Sequence, residues 1–160
     1  MADSKTMISD LGIGTGYALW GFRASAARHA NCPTLIRGFD QALSRYGRLA
    51  LMELEAFARI LGSKGRRRLS IGCPGCASVT ADELSIAALL SAAQIRNEDL
   101  ADAHAAWLMA GCGEQEAKEA AHRVGWLFCA GCLEIKAPPI EISERAERMQ
   151  SLSLHQPGHA

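Results

Sequence analysis

One stretch constrains the fold more than any other. Thr80-Ala81-Asp82-Glu83 has the form of a capping box, with a threonine at a helix start and a glutamate three residues on. Each side chain can bond the other's backbone amide, which satisfies two donors that a helix start leaves free. The run that follows carries Leu84, Ile86, Ala87, Ala88, Leu89, Leu90, Ala92 and Ala93. Such a helix is apolar nearly all round, so other elements must cover every side of it. This predicts an all-α fold with residues 80–93 at its centre. The chain has 160 residues, which suits one domain with a real core. Its hydrophobic fraction of 49% is too high for a disordered chain.

Helical spacing recurs on both sides of that centre. Ala18, Leu19, Phe22 and Ala26 share one side of a helix over about 15–29, weakened by Gly16 and Gly21. Pro33 suits a first helical position with Cys32 as N-cap, and Leu35, Ile36, Phe39, Leu43 and Tyr46 follow. Leu51, Leu54, Ala58 and Leu61 form a third stripe that stops at Gly62. Asn97-Glu98-Asp99 starts a helix with Leu100, Ala103, Trp107 and Leu108 on its buried side. Glu114 and Glu116 open another, lined by Ala117, Ala120, Ala121, Val124, Leu127 and Phe128 and ending near Gly131. Two short segments, about 68–72 and 133–137, read as strands that pair into a minor two-stranded ribbon. The expected fold is thus a single all-α domain, 1–142, of five to six packed helices with that ribbon. Residues 143–160 read as a short polar helix from Ser143 and a loose tail.

The N-terminus lacks the pattern of a secretory signal, so the expected compartment is the reducing cytoplasm. Six cysteines are there unsuited to a disulfide framework. Four of them form two C-x-x-C pairs, Cys73-Pro-Gly-Cys76 and Cys129-Ala-Gly-Cys132. A C-P-x-C turn after a strand has the shape of a zinc knuckle, which needs two more ligands. If the two strands paired antiparallel, Cys73 and Cys132 would meet at one end. A structural zinc site of Cys73, Cys76, Cys129 and Cys132 is the sharpest expectation, with His104, His122 and Cys112 as reserve ligands. The plain reading is packing, since buried cysteine behaves as a small apolar residue. A dithiol redox role for Cys73 and Cys76 competes with both. Cys32, just before Pro33, is a lone thiol at a helix start, where the thiolate is favoured.

Lys64, Arg66, Arg67 and Arg68 form a basic run suited to phosphates. No aromatic residue interleaves with it, so a stacking platform for single strands is missing. Gly12-Ile13-Gly14-Thr15-Gly16 lacks both the preceding strand of a dinucleotide fingerprint and a Walker ending, and reads as a flexible lead. No apolar run is long enough to span a bilayer. No catalytic triad is legible. The net charge is zero, yet residues 1–80 carry 11 Lys+Arg against 5 Asp+Glu, and residues 81–160 carry 6 against 12. That polarity can steer a protein partner or self-association. The reading is a non-enzymatic cytoplasmic binding or regulatory protein with a four-cysteine zinc site. The alternatives are a dithiol redox protein and a nucleic-acid-binding regulator.

Overall fold

The computed structural model describes residues 5–65 and 68–138. One 3-10 turn, Ile8–Leu11, leads into six α-helices among these residues. They are α1 (Ile13–Ala26), α2 (Pro33–Leu43), α3 (Gly47–Lys64), α4 (Ala81–Gln94), α5 (Glu98–Met109) and α6 (Glu114–Ala130). α1 and α2 pack on α3, while α5 and α6 pack on α4 and on each other. Contacts of α3 with α6 and of α1 with α4 join the two groups. The all-α expectation is met.

The capping box forms as the sequence implies. Thr80 Oγ1 accepts from the Glu83 amide at 3.1 Å, and Glu83 Oε2 accepts from the Thr80 amide at 2.9 Å. Every residue of α4 from Asp82 to Ala93 is buried. A run of small residues lets neighbouring helices approach closely, and large aromatics fill the space between them. Phe39 is the hub of the second kind, with Tyr17 at 5.7 Å and Phe128 at 6.3 Å between ring centroids. The Phe39–Phe128 pair ties α2 to α6 across the two groups.

The two-stranded ribbon does not form. Among the described residues there is no strand, and the one isolated bridge joins Met7 to Ser78. Side chains of α4 take the backbone groups that a ladder would have used. At its N-terminal end Asp82 Oδ2 accepts from the Ser70 amide (2.8 Å), Glu83 Oε1 accepts from the Gly72 amide (3.0 Å), and Thr80 Oγ1 donates to the Ser70 carbonyl (2.6 Å). At its C-terminal end Gln94 Nε2 donates to the Leu133 carbonyl (2.9 Å), and Gln94 Oε1 accepts from the Ile135 amide (2.7 Å). The two segments therefore lie at opposite ends of a 14-residue helix, about 20 Å long. The alternation around Ile135 is real, since Ile135 is buried and its neighbours Glu134 and Lys136 are exposed. It reflects packing on helices and not a partner strand.

The glycine cluster is also not a flexible lead. α1 begins at Ile13, and Thr15 Oγ1 donates to the Lys136 carbonyl at 3.0 Å. A Cβ on Gly14 would lie 1.9 Å from the Glu134 carbonyl oxygen, so only glycine admits the crossing of 133–136 over α1. The polar helix and tail expected over 143–160 lie outside the described residues.

Three helices close with the same paired bonds. His29 N–H donates to the Ala24 carbonyl and Arg28 N–H to Ser25; Asn97 to Ala92 and Arg96 to Ala93; Leu133 to Phe128 and Cys132 to Cys129. This is the Schellman arrangement, whose turning residue is left-handed. Arg28 (φ 61°), Arg96 (φ 57°) and Cys132 (φ 59°) occupy it in place of the usual glycine. Cys132 is exposed, so removing its side chain loses little packing. Cys132→Gly is expected to raise stability by up to about 1 kcal/mol, read as a higher urea midpoint.

Candidate functional site

Arg23 is the most unusual residue of the core. It lies on α1 beside Leu19 and Phe22 and is fully buried. An isolated buried guanidinium is strongly disfavoured, so its donors must find partners. All five N–H groups do. Nε donates to Glu83 Oε1 (2.6 Å), and Nη2 donates to Glu83 Oε2 (2.9 Å) and the Ser78 carbonyl (2.8 Å). Nη1 donates to the Cys76 carbonyl (2.6 Å) and the Cys73 carbonyl (3.3 Å).

Glu83 is equally well held. Its side chain is fully buried and accepts from Arg23 and from the amides of Thr80 and Gly72. Burial pushes its carboxyl up, but the hydrogen bonds from Arg23, Thr80 and Gly72 together outweigh that and hold it below the ordinary carboxylate value. Besides capping α4, Glu83 thus neutralises the arginine that fastens the cysteine loop. Gly72 lies flat against the guanidinium. A Cβ there would sit 2.9 Å from Arg23 Nη2 and 3.1 Å from Cζ, and a guanidinium fixed by five bonds has no room to move away.

The loop held in this way brings its two cysteines together. The Cys76 amide donates to the Cys73 carbonyl at 3.0 Å, closing a turn over Pro74 and Gly75. The two Cα atoms are 5.2 Å apart and the sulfurs form a disulfide. Cys73 is exposed and Cys76 half-buried. The return arm is pinned by the Ile8 amide on the Ala77 carbonyl (2.8 Å) and the Val79 amide on the Thr6 carbonyl (2.9 Å).

The second pair is not brought to the first. Cys129 and Cys132 are exposed free thiols at the end of α6, beside the Gln94 end of α4. From Glu83 to Gln94 α4 runs roughly 17 Å, whereas a zinc ion holds each sulfur at about 2.3 Å. Among the described residues no group of three or more His, Cys, Asp or Glu side chains is placed to hold a metal ion. The four-cysteine set therefore does not fit zinc, because the ribbon that would have joined the pairs does not exist. The reserve ligands are dispersed as well. His122 Nε2 lies 3.0 Å from Glu98 Oε1, and Cys112 is an exposed free thiol. His104 is buried, neither ring nitrogen has a hydrogen-bond partner among the described residues, and burial pushes its pKa down to about 4.

Cys32 stands at the N-cap of α2 as expected, exposed and unpaired with another sulfur. The amides of Leu35 and then Thr34 hold its thiol below the ordinary cysteine value. In the basic run, Lys64 is engaged by Glu116 and Arg68 is exposed, while Arg66 and Arg67 lie outside the described residues.

The sequence reading missed Arg23 as a site residue. The signal was present, since Leu19, Phe22, Arg23 and Ala26 share one helix face and an arginine inside an apolar stripe needs a buried acid. No protein-family model, curated protein or solved structure matches this chain.

Proposed function

We propose that the chain is a thiol–disulfide redox protein whose working pair is Cys73 and Cys76. The observation that carries this reading is the Cys73–Cys76 disulfide, exposed at Cys73, on a loop whose carbonyls are fixed by a buried, charge-neutral Arg23–Glu83 pair. A structural disulfide that closes a three-residue separation restrains little of the unfolded chain, so its use lies in its chemistry. A reducing compartment such as the cytoplasm suits a pair that cycles, since disulfides there are transient.

The reductive half of the exchange balances with a dithiol reductant as co-reactant. Its first thiolate attacks Cys73 Sγ, the accessible sulfur. A mixed disulfide forms on Cys73, the Sγ–Sγ bond breaks, and Cys76 leaves as a thiolate that takes up a proton. The second thiol of the reductant, as its thiolate, then attacks its own sulfur in the mixed disulfide. It becomes a disulfide, and Cys73 is released reduced. Two electrons pass from the reductant to the cysteine pair. Arg23 and Glu83 hold the loop geometry through this exchange. Their charges cancel, so they act as positioning residues.

The test uses reduced Cys76→Ser protein and oxidised glutathione. With the internal partner removed, a lasting glutathione adduct on Cys73 is expected, mapped by peptide mass. Cys73→Ser is expected to leave Cys76 largely unmodified. Equal labelling of every exposed cysteine, including Cys112 and Cys129, would contradict a special role for this pair.

A further inference from the structure

Trp126 is a large apolar side chain left in water. It stands on α6, on the side away from the buried stripe of Ala117, Ala121, Val124 and Phe128, and is 58% exposed. Covering an indole removes a large apolar area from water, so its exposure forgoes a sizeable stabilisation. The ring is also held in place. Tyr46 meets it edge to face, 6.1 Å between centroids, and Arg45 lies over Tyr46 and donates to its hydroxyl at 2.9 Å. Beside the indole is a hollow of about 340 Å³ between α3 and α6, lined by Leu49, Glu53, His122, Arg123, Trp126 and Leu127. Leu49 is 50% exposed, and Met52, three residues along α3, is 64% exposed. One face thus carries a projecting aromatic and an apolar hollow. His122 is engaged by Glu98, which leaves Glu53 and Arg123 as the charges of the hollow. Arg123 Nε donates to Glu53 Oε2 at 2.7 Å. The two Nη groups of Arg123 and Oε1 of Glu53 have no hydrogen-bond partner among the described residues.

We infer that two copies of the chain pair through this face, about a two-fold axis, as a homodimer. A two-fold interface uses the same patch on both copies, so the patch must complement itself. This one does so twice. The indole of each copy fits the hollow of the other, and Arg123 of each copy reaches Glu53 of the partner subunit through the groups its own ion pair leaves unused. One acid and one base cancel, so the hollow offers no field to a nucleic acid or to a strongly charged peptide. Tryptophan, tyrosine, methionine and arginine are the side chains in which interface centres are enriched. A standard interface takes about 800 Å² from each partner, roughly a tenth of this surface of 9349 Å². Trp126, Leu49 and Met52 supply its apolar centre. Trp126 stands beside Gln94, at the opposite end of α4 from the cysteine loop, so the pairing face is separate from the redox pair.

The test is sedimentation velocity on the full chain, with a reductant present so that exposed thiols do not cross-link copies. The wild type is expected to pass from monomer to dimer between about 1 and 100 μM. Trp126→Ala is expected to weaken the dimer at least about tenfold. Its helix content by circular dichroism is expected to be unchanged, since the side chain is more than half exposed. Arg123→Glu and Glu53→Arg are each expected to stay monomeric over that range, because like charges then face each other across the axis. An equimolar mixture of these two variants is expected to recover the dimer. Opposite charges are then restored between the copies, while the ion pair within each copy stays broken. A wild type that is monomeric up to about 100 μM, a dimer indifferent to Trp126→Ala, or a mixture no more associated than its components would each overturn the pairing face.

Discussion

Glu83→Ala is expected to destabilise the fold by about 3–5 kcal/mol, the largest single effect in the molecule. The substitution removes a buried carboxylate and leaves the fully buried Arg23 without its counter-charge. It also strands the amides of Gly72 and Thr80, which Glu83 accepts from. The double variant Arg23→Met/Glu83→Leu is expected to recover much of the loss, because no uncompensated charge remains. It does not recover all of it, since the carbonyls of Cys73, Cys76 and Ser78 lose their donor. Urea unfolding of the wild type, Arg23→Met, Glu83→Leu and the double variant closes the cycle. Additive single effects would contradict a coupled pair. The same carboxyl is a source of acid lability. Its folded pKa is depressed, so its contribution is present above the ordinary carboxylate value and is lost as pH falls through the folded one.

The second large effect concerns His104. Its pKa falls from 6.5 to about 4 because burial penalises the charged ring. Between those values the unfolded chain binds a proton that the folded chain does not. Stability is therefore full above pH 6.5 and declines as pH falls toward 4. The difference amounts to about 3 kcal/mol over that window. His104→Leu removes the titrating ring and both unpartnered nitrogens. At neutral pH it is expected to be neutral or slightly stabilising, because no hydrogen bond is broken. Between pH 7 and pH 4.5 it is expected to lose markedly less stability than the wild type. Parallel urea midpoints for the two proteins across that range would contradict the account.

The fold was legible wherever local chemistry and burial pointed the same way. Thr80, Glu83 and the apolar run after them identified the central helix, because a capping box and an all-round apolar surface have one joint solution. Asn97 was equally plain, and its side chain accepts from the Leu100 amide. The errors came from backbone partners. Leu69–Gly72 and Leu133–Ala137 alternate as a strand does, but alternation reports only which side chains are buried. Gln94, Asp82 and Glu83 hold those backbones from helix ends, and side chain-to-backbone bonds leave no period in a sequence. The zinc expectation fell with the ribbon, since it needed both cysteine pairs at one end of α4. Half of the candidate site was visible in Cys73-Pro-Gly-Cys76. The other half, Arg23, lay 50 residues away, and its partner Glu83 was already explained by its helix cap.

The central claim is that Cys73 and Cys76 form a reversible pair among the six cysteines. Native protein equilibrated across a series of glutathione ratios at neutral pH, then alkylated and peptide-mapped, measures this directly. The account predicts one two-electron transition that removes the thiols of Cys73 and Cys76, while Cys32, Cys112, Cys129 and Cys132 stay alkylatable on both sides of it. Folded protein in which Cys73 and Cys76 remain free thiols at every ratio, or in which either pairs with a different cysteine, would contradict it.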